Sequence, residues 1–244
     1  MTQIEHLDVG GRAIAYRLRG GNVPTLLFLP GYASDMEGAK ALGLDAFAAK
    51  RGHAMLRFDY SGTGSSSGAF EDGTLALWLE EALAAIDRLT SGPLIVVGSS
   101  MGGWLALHLA LLRRQRVKAL VGIAAAPDFT DWGFSAEQKL RLERDGRIEE
   151  PNPYGPEASV FTKGFWESGQ QLRLLGDEIP IDVPVRLLHG EEDQDVPLEI
   201  AFRLMRALRS SDVQLNVLKG GGHRLSEPNE IRAILRTVEN LLEP

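Results

Sequence analysis

Ser100 lies in Gly98-Ser99-Ser100-Met101-Gly102, a G-x-S-x-G pattern that follows the apolar run 94–97 and opens an apolar helical stretch. A serine at the apex of a tight strand-to-helix turn projects its hydroxyl above a sheet, and small residues two before and two after relieve crowding around the turn. The helix N-terminus beneath it favours developing negative charge. Ser100 is therefore the candidate nucleophile, whereas Ser99, at a variable position of the pattern, is expected to pack or hydrogen-bond. A hydroxyl attacks poorly until a base takes its proton, and the chain offers 5 histidines. His6 and His53 come early, His108 falls on the apolar helix after Ser100 as an expected core histidine, and His189 ends an expected strand, where its expected role is hydrogen bonding around the acid loop. His223 follows the last expected strand in KGGGHR, a loop flexible enough to reach back over the strand ends, and it is the candidate base.

A base of this kind needs an acceptor that fixes its tautomer. The loop after residues 185–189 supplies Glu191, Glu192, Asp193 and Asp195. Asp193 is the first choice, and Asp195 stays open because counting does not settle the direction of a loop. Two backbone donors are expected for the oxyanion of a tetrahedral intermediate, the N–H of Met101 and that of Tyr32 in Leu29-Pro30-Gly31-Tyr32. Together these residues predict acyl transfer through an acyl-serine, with a small-molecule ester or thioester, or an acylated protein, as substrate. Two rivals remain: the same three side chains used on a carbon–carbon bond or for transfer to an alcohol, and a ligand-binding protein on a scaffold that has lost catalysis.

Positioning such groups requires strands that end together. Apolar runs at 4–9, 13–19, 25–29, 54–58, 94–98, 118–123, 185–189 and 213–218 alternate with amphipathic stretches, which predicts an α/β fold with a mainly parallel eight-stranded sheet and helices on both faces. The first two strands should form a hairpin at Gly10-Gly11. Helical stripes recur at Ala39, Leu42, Ala46 and Ala49, at Leu75, Trp78, Leu79, Ala82 and Ile86, and at Ile231, Ile234, Leu235 and Val238. The alternation fails over residues 127–180, which hold a charged helical piece at 137–144, then EEPNPYGP, and seven aromatics: Phe129, Trp132, Phe134, Tyr154, Phe161, Phe165 and Trp166. The expectation is a lid inserted into one domain spanning 1–244, its aromatics either packing on the body or walling an apolar pocket.

Composition removes other chemistries. With no cysteine there is no thiolate nucleophile, disulfide or cysteine-held metal. A net charge of -7 works against a phosphate-binding face, so nucleic acid is not an expected partner. RFDYSGTGSSSG spaces its glycines as GxGxxxG, one residue too long for a dinucleotide loop, and its Asp59 is expected to tie that loop to neighbouring strand ends. No P-loop or H-E-x-x-H occurs, and neither metal nor cofactor is implied. Residues 89–112 lack Lys, Arg, Asp and Glu, yet Pro93 and four glycines divide them into strand, turn and helix, so no membrane span is expected. The N-terminus shows no signal or transit pattern, which predicts a cytoplasmic location.

The order Ser100, Asp193, His223 resembles that of the α/β-hydrolase superfamily, as do the HGEEDQDVP and GGGHR loops. Within it, LPGYASDMEGAKA, RFDYSGTGSSSG, GSSMGGW and PVRLLHG look like a branch of mitochondrial and bacterial enzymes with palmitoyl-protein thioesterase and acyl-glucuronide esterase activity. The resemblance implies a serine hydrolase with Ser100, Asp193 and His223 as its triad. It favours Asp193 over Asp195, because Asp193 fills the acid position of G-x-x-D-x-x-V-P at residues 190–197. Residues 127–180 match this branch poorly, so the resemblance does not supply the substrate.

Overall fold

The computed structural model describes residues 2–242. Its first strands, β1 (Glu5–Val9) and β2 (Arg12–Arg19), form the expected antiparallel hairpin. Gly10 and Gly11 turn it at φ of 60° and 83°, a region where a side chain is strained. In chain order there follow β3 (Asn22–Leu29), α1 (Ala39–Arg51), β4 (His53–Phe58), α2 (Leu75–Leu89), β5 (Leu94–Ser99), α3 (Met101–Leu112) and β6 (Val117–Ile123). Then come α4 (Phe129–Trp132), α5 (Ala136–Asp145), β7 (Arg147–Glu150), β8 (Ser159–Thr162) and α6 (Lys163–Gln171). The chain closes with β9 (Val185–Gly190), α7 (Leu198–Ala207), β10 (Val213–Leu218) and α8 (Pro228–Leu242).

The eight expected strands form one sheet in the order β1-β2-β4-β3-β5-β6-β9-β10, parallel from β4 onward. Alternation of side chains along the strands separates two cores. Leu27, Leu29, Leu56 and Val96 face the layer of α2 and α3, while Leu26, Phe28, Met55, Ile95 and Val97 face α1 and α8. The helix α3 is buried from Met101 to Ala110, because the sheet lies on one side of it and α2 and Leu172 lie on others. That position explains why its sequence is apolar all round and shows no helical stripe. Among the described residues no helix is long and apolar enough to cross a membrane.

Two kinds of element were not expected. Residues 127–180 contain an antiparallel hairpin, β7 paired with β8, in addition to α4 and α6. Between β6 and β9 the chain also carries α5, one residue longer at each end than the stretch 137–144, because a capping box of Ser135 and Gln138 starts it and Gly146 at φ 78° ends it. The helix α7, which had no assigned stripe, buries Ile200, Ala201 and Leu204. Six of the eight strands run one to three residues longer than expected, as where Asn22 continues the pairing of β3, while β10 keeps its expected bounds and β1 starts one residue later.

Candidate active site

The backbone at Ser100 has φ 53° and ψ −117°, a sparsely populated conformation for a residue with a side chain. The surrounding strands hold it there. The Ser100 N–H donates to Ile123 O at 2.9 Å, and Ser100 O accepts from Gly103 N at 2.9 Å and Ala126 N at 3.1 Å. The flanking glycines are required by contact rather than by torsion. A Cβ on Gly98 would lie 2.2 Å from Gly102 O, and one on Gly102 would lie 2.1 Å from Leu29 O. The G-x-S-x-G spacing thus lets β5, α3 and the end of β3 meet at one point.

Gly31 brings the loop after β3 against the serine, since a Cβ there would sit 3.3 Å from Ser100 Cβ. Tyr32 follows it. Among the described residues neither the Tyr32 nor the Met101 N–H is taken by a protein acceptor. The Tyr32 side chain, by contrast, belongs to the 127–180 segment: its hydroxyl donates to Val160 O at 2.5 Å, and its ring stacks on Phe161 with centroids 4.9 Å apart. Burial in this cluster pushes the phenol above its ordinary pKa, so it remains a donor. Phe165 packs on both Tyr32 and Phe129.

His223 stands on the loop between β10 and α8. Its Nε2 is 3.1 Å from Ser100 Oγ and its Nδ1 is 2.9 Å from Asp193 Oδ2. The loop carrying it packs directly on the end of β9: a Cβ on Gly190 would meet Gly221 O at 2.2 Å, and Glu192 N donates to Gly221 O at 2.9 Å. That contact requires glycine at position 190. Asp193 is almost fully buried, and its Oδ1 accepts from Val196 N at 2.8 Å and Asp195 N at 2.9 Å. Burial alone would raise its pKa, but the hydrogen bond and charge of His223, with these two N–H groups, outweigh burial and hold the carboxyl below the usual range.

The geometry separates the two acid candidates. Asp193 meets His223, whereas Asp195 accepts from Tyr154 Oη at 2.6 Å. It also separates the histidines. His108 Nε2 bonds Leu172 O at 2.9 Å, and burial pushes that imidazole below its ordinary pKa. His189 Nε2 bonds Val196 O at 2.8 Å and lies 3.4 Å from Asp193 Oδ2, so it hydrogen-bonds around the acid loop as its place in the sequence led one to expect. Asp59 does tie its loops together, accepting from Met36 N at 2.7 Å and Ser65 N at 2.8 Å. Among the described residues no cluster of three or more His, Asp or Glu could hold a metal ion. The arrangement can remove a proton from Ser100, stabilise the imidazolium that forms, and return the proton to a leaving group.

Comparison with known proteins identifies the family and the fold. A family profile described as alpha/beta hydrolase fold matches residues 24–144. The mitochondrial palmitoyl-protein thioesterase ABHD10 of Homo sapiens is 38% identical over 234 residues, covering 94% of this chain and 76% of that protein. Among solved structures, alpha/beta hydrolase domain-containing protein 10 from mouse superposes with a TM-score of 0.93 at 35% identity, covering 99% of each chain. A second, from Agrobacterium vitis S4, gives 0.93 at 39% identity over 100% of this chain and 99% of that one. The expected cytoplasmic location is corrected by these findings. The palmitoyl-protein thioesterases matched over nearly the whole chain are named as mitochondrial proteins, which does not support a cytoplasmic location.

Proposed function

Because the chain belongs to the alpha/beta hydrolase fold family and is a hydrolase, we propose that it cleaves carboxylic esters or acyl thioesters through a covalent acyl-serine intermediate. The observation that carries this reading is the continuous relay from Ser100 Oγ to His223 at 3.1 Å and from His223 to Asp193 at 2.9 Å. His223 takes the hydroxyl proton as Ser100 attacks the carbonyl carbon. The oxyanion that forms accepts from the N–H groups of Met101 and Tyr32. His223 then protonates the departing alcohol or thiol. Water, deprotonated by the same imidazole, releases the acid and restores the serine. Asp193 keeps its negative charge throughout and holds the imidazole with Nε2 toward the serine.

The thioester side of this proposal is supported by the palmitoyl-protein thioesterase relatives. In the same reading residues 127–180 form a lid within one domain, and their aromatics, gathered around Tyr32, meet the acyl group. The test is direct. Ser100→Ala should abolish labelling by a fluorophosphonate probe and lower kcat by roughly 10⁴- to 10⁶-fold on nitrophenyl esters and acyl thioesters. Labelling that persists in Ser100→Ala would remove the serine from the chemistry, and wild-type protein inert toward both substrate classes would point instead to another bond.

A further inference from the structure

Residues 154–160 cross the active site from one flank to the other. On the first flank Tyr154 is clamped between the two loops that carry Asp193 and His223: its Oη donates to Asp195 Oδ2 at 2.6 Å, and the Arg224 guanidinium stands over its ring, 5.3 Å from the centroid. On the second flank Val160 O accepts the hydroxyl of Tyr32 at 2.5 Å, the residue that follows Gly31, whose backbone lies against Ser100. The Asn152 side chain shapes the start of this strap by accepting from Tyr154 N at 2.9 Å. Tyr154 is nonetheless 46% exposed, so part of it stays open to solvent.

The chemistry assigns a meaning to each flank. The group that leaves the tetrahedral intermediate is the one that His223 Nε2 protonates, so it departs on the side of His223. Arg224 is the next residue in that loop, and Tyr154 is stacked beneath it. We propose that Tyr154 is a specificity-determining residue that walls the leaving-group side of the site and limits the bulk of the thiol or alcohol released. This inference rests on the serine-hydrolase reading above. A wall of this kind favours small thiols and alcohols over a cysteine embedded in a polypeptide, because the chain on both sides of such a thiol must pass Tyr154 where it sits against the histidine loop.

The experiment compares two substrates with the same octanoyl group, S-octanoyl-N-acetylcysteamine and a short peptide bearing S-octanoyl cysteine. For Tyr154→Ala the ratio of kcat/KM, peptide over small thioester, should rise about tenfold or more. Tyr154→Phe keeps the ring but loses the bond to Asp195, and the ratio should rise by less. A ratio in Tyr154→Ala within about twofold of wild type, or an equal fall for both substrates, would show that the ring only holds the loops in place, and the proposal would fail. Fluorophosphonate labelling of Ser100 in the wild-type protein is measured alongside. Its absence would defeat the serine-hydrolase reading itself, whatever the ratio does.

Discussion

At the scale of single residues, Asp193 and Asp195 are separated by one position and by entirely different surroundings. Asp193 is buried, paired with His223 and fed by two backbone N–H groups, whereas Asp195 faces Tyr154 at the surface. Asp193→Asn should therefore lower kcat by about 10⁴-fold, because the amide no longer fixes the imidazole tautomer, while Asp195→Asn should stay within about tenfold of wild type. Comparable losses in both variants would mean that the acid has been misassigned. The same carboxylate bears on stability. Its folded-state pKa is depressed below the unfolded value of about 3.9, so its contribution is present above that pH and disappears as pH falls through the lower folded value. Denaturant titrations of wild type and Asp193→Asn should accordingly differ at neutral pH and converge at pH values below about 4. The serine and the histidine were legible in the sequence because each is fixed by a local pattern, a tight elbow and a glycine-rich loop after the last strand. The acid was legible only to within two positions, because whether Asp193 or Asp195 turns inward depends on hydrogen bonds that close the loop on itself.

At the scale of elements, the elbow depends on three backbones meeting without side chains between them. In Gly102→Ala the new methyl would have to displace the carbonyls of Leu29 and Pro30, which belong to the end of β3 and its loop and cannot rotate away. We expect a loss of about 1 to 3 kcal/mol or more, read as a lowered thermal midpoint, together with loss of activity. Unchanged stability would show that β3 and α3 can separate at this point. The central strands β3, β4, β5, β6 and β9 could be read from their apolar runs because most of their residues are buried on both faces. The hairpin of β7 and β8 could not be, since its four-residue strands RIEE and SVFT carry no run of that kind and are held by pairing with each other and by packing on Tyr32. Likewise α7 escaped notice: its buried positions Ile200, Ala201 and Leu204 sit among exposed Phe202 and Met205, so apolar residues lie on both faces of the helix and blur the stripe.

At the scale of the whole molecule, the strap over the site is its most accessible stretch of backbone near the chemistry. Residues 151 and 153–158 are exposed; they are fastened at one end by the side-chain contacts of Tyr154 and run at the other into β8, where Val160 pairs with Glu149 and accepts the Tyr32 hydroxyl. Limited digestion with a glutamate-specific protease should therefore cut first after Glu157, leaving two pieces that stay associated through the main sheet. Mass spectrometry of the early fragments checks this, and a first cut at Glu191 or Glu192 would show that the acid loop opens before the strap does. The contrast with α3 has a wider consequence. The helix behind the nucleophile has almost no solvent face, so it can neither shift nor be rebuilt without dismantling the interior. The serine is thus a fixed reference point, and what lies above it comes from a segment outside the main sheet. A lineage built on this plan can acquire new tastes by rewriting residues 127–180 alone, keeping its reaction while it changes its diet.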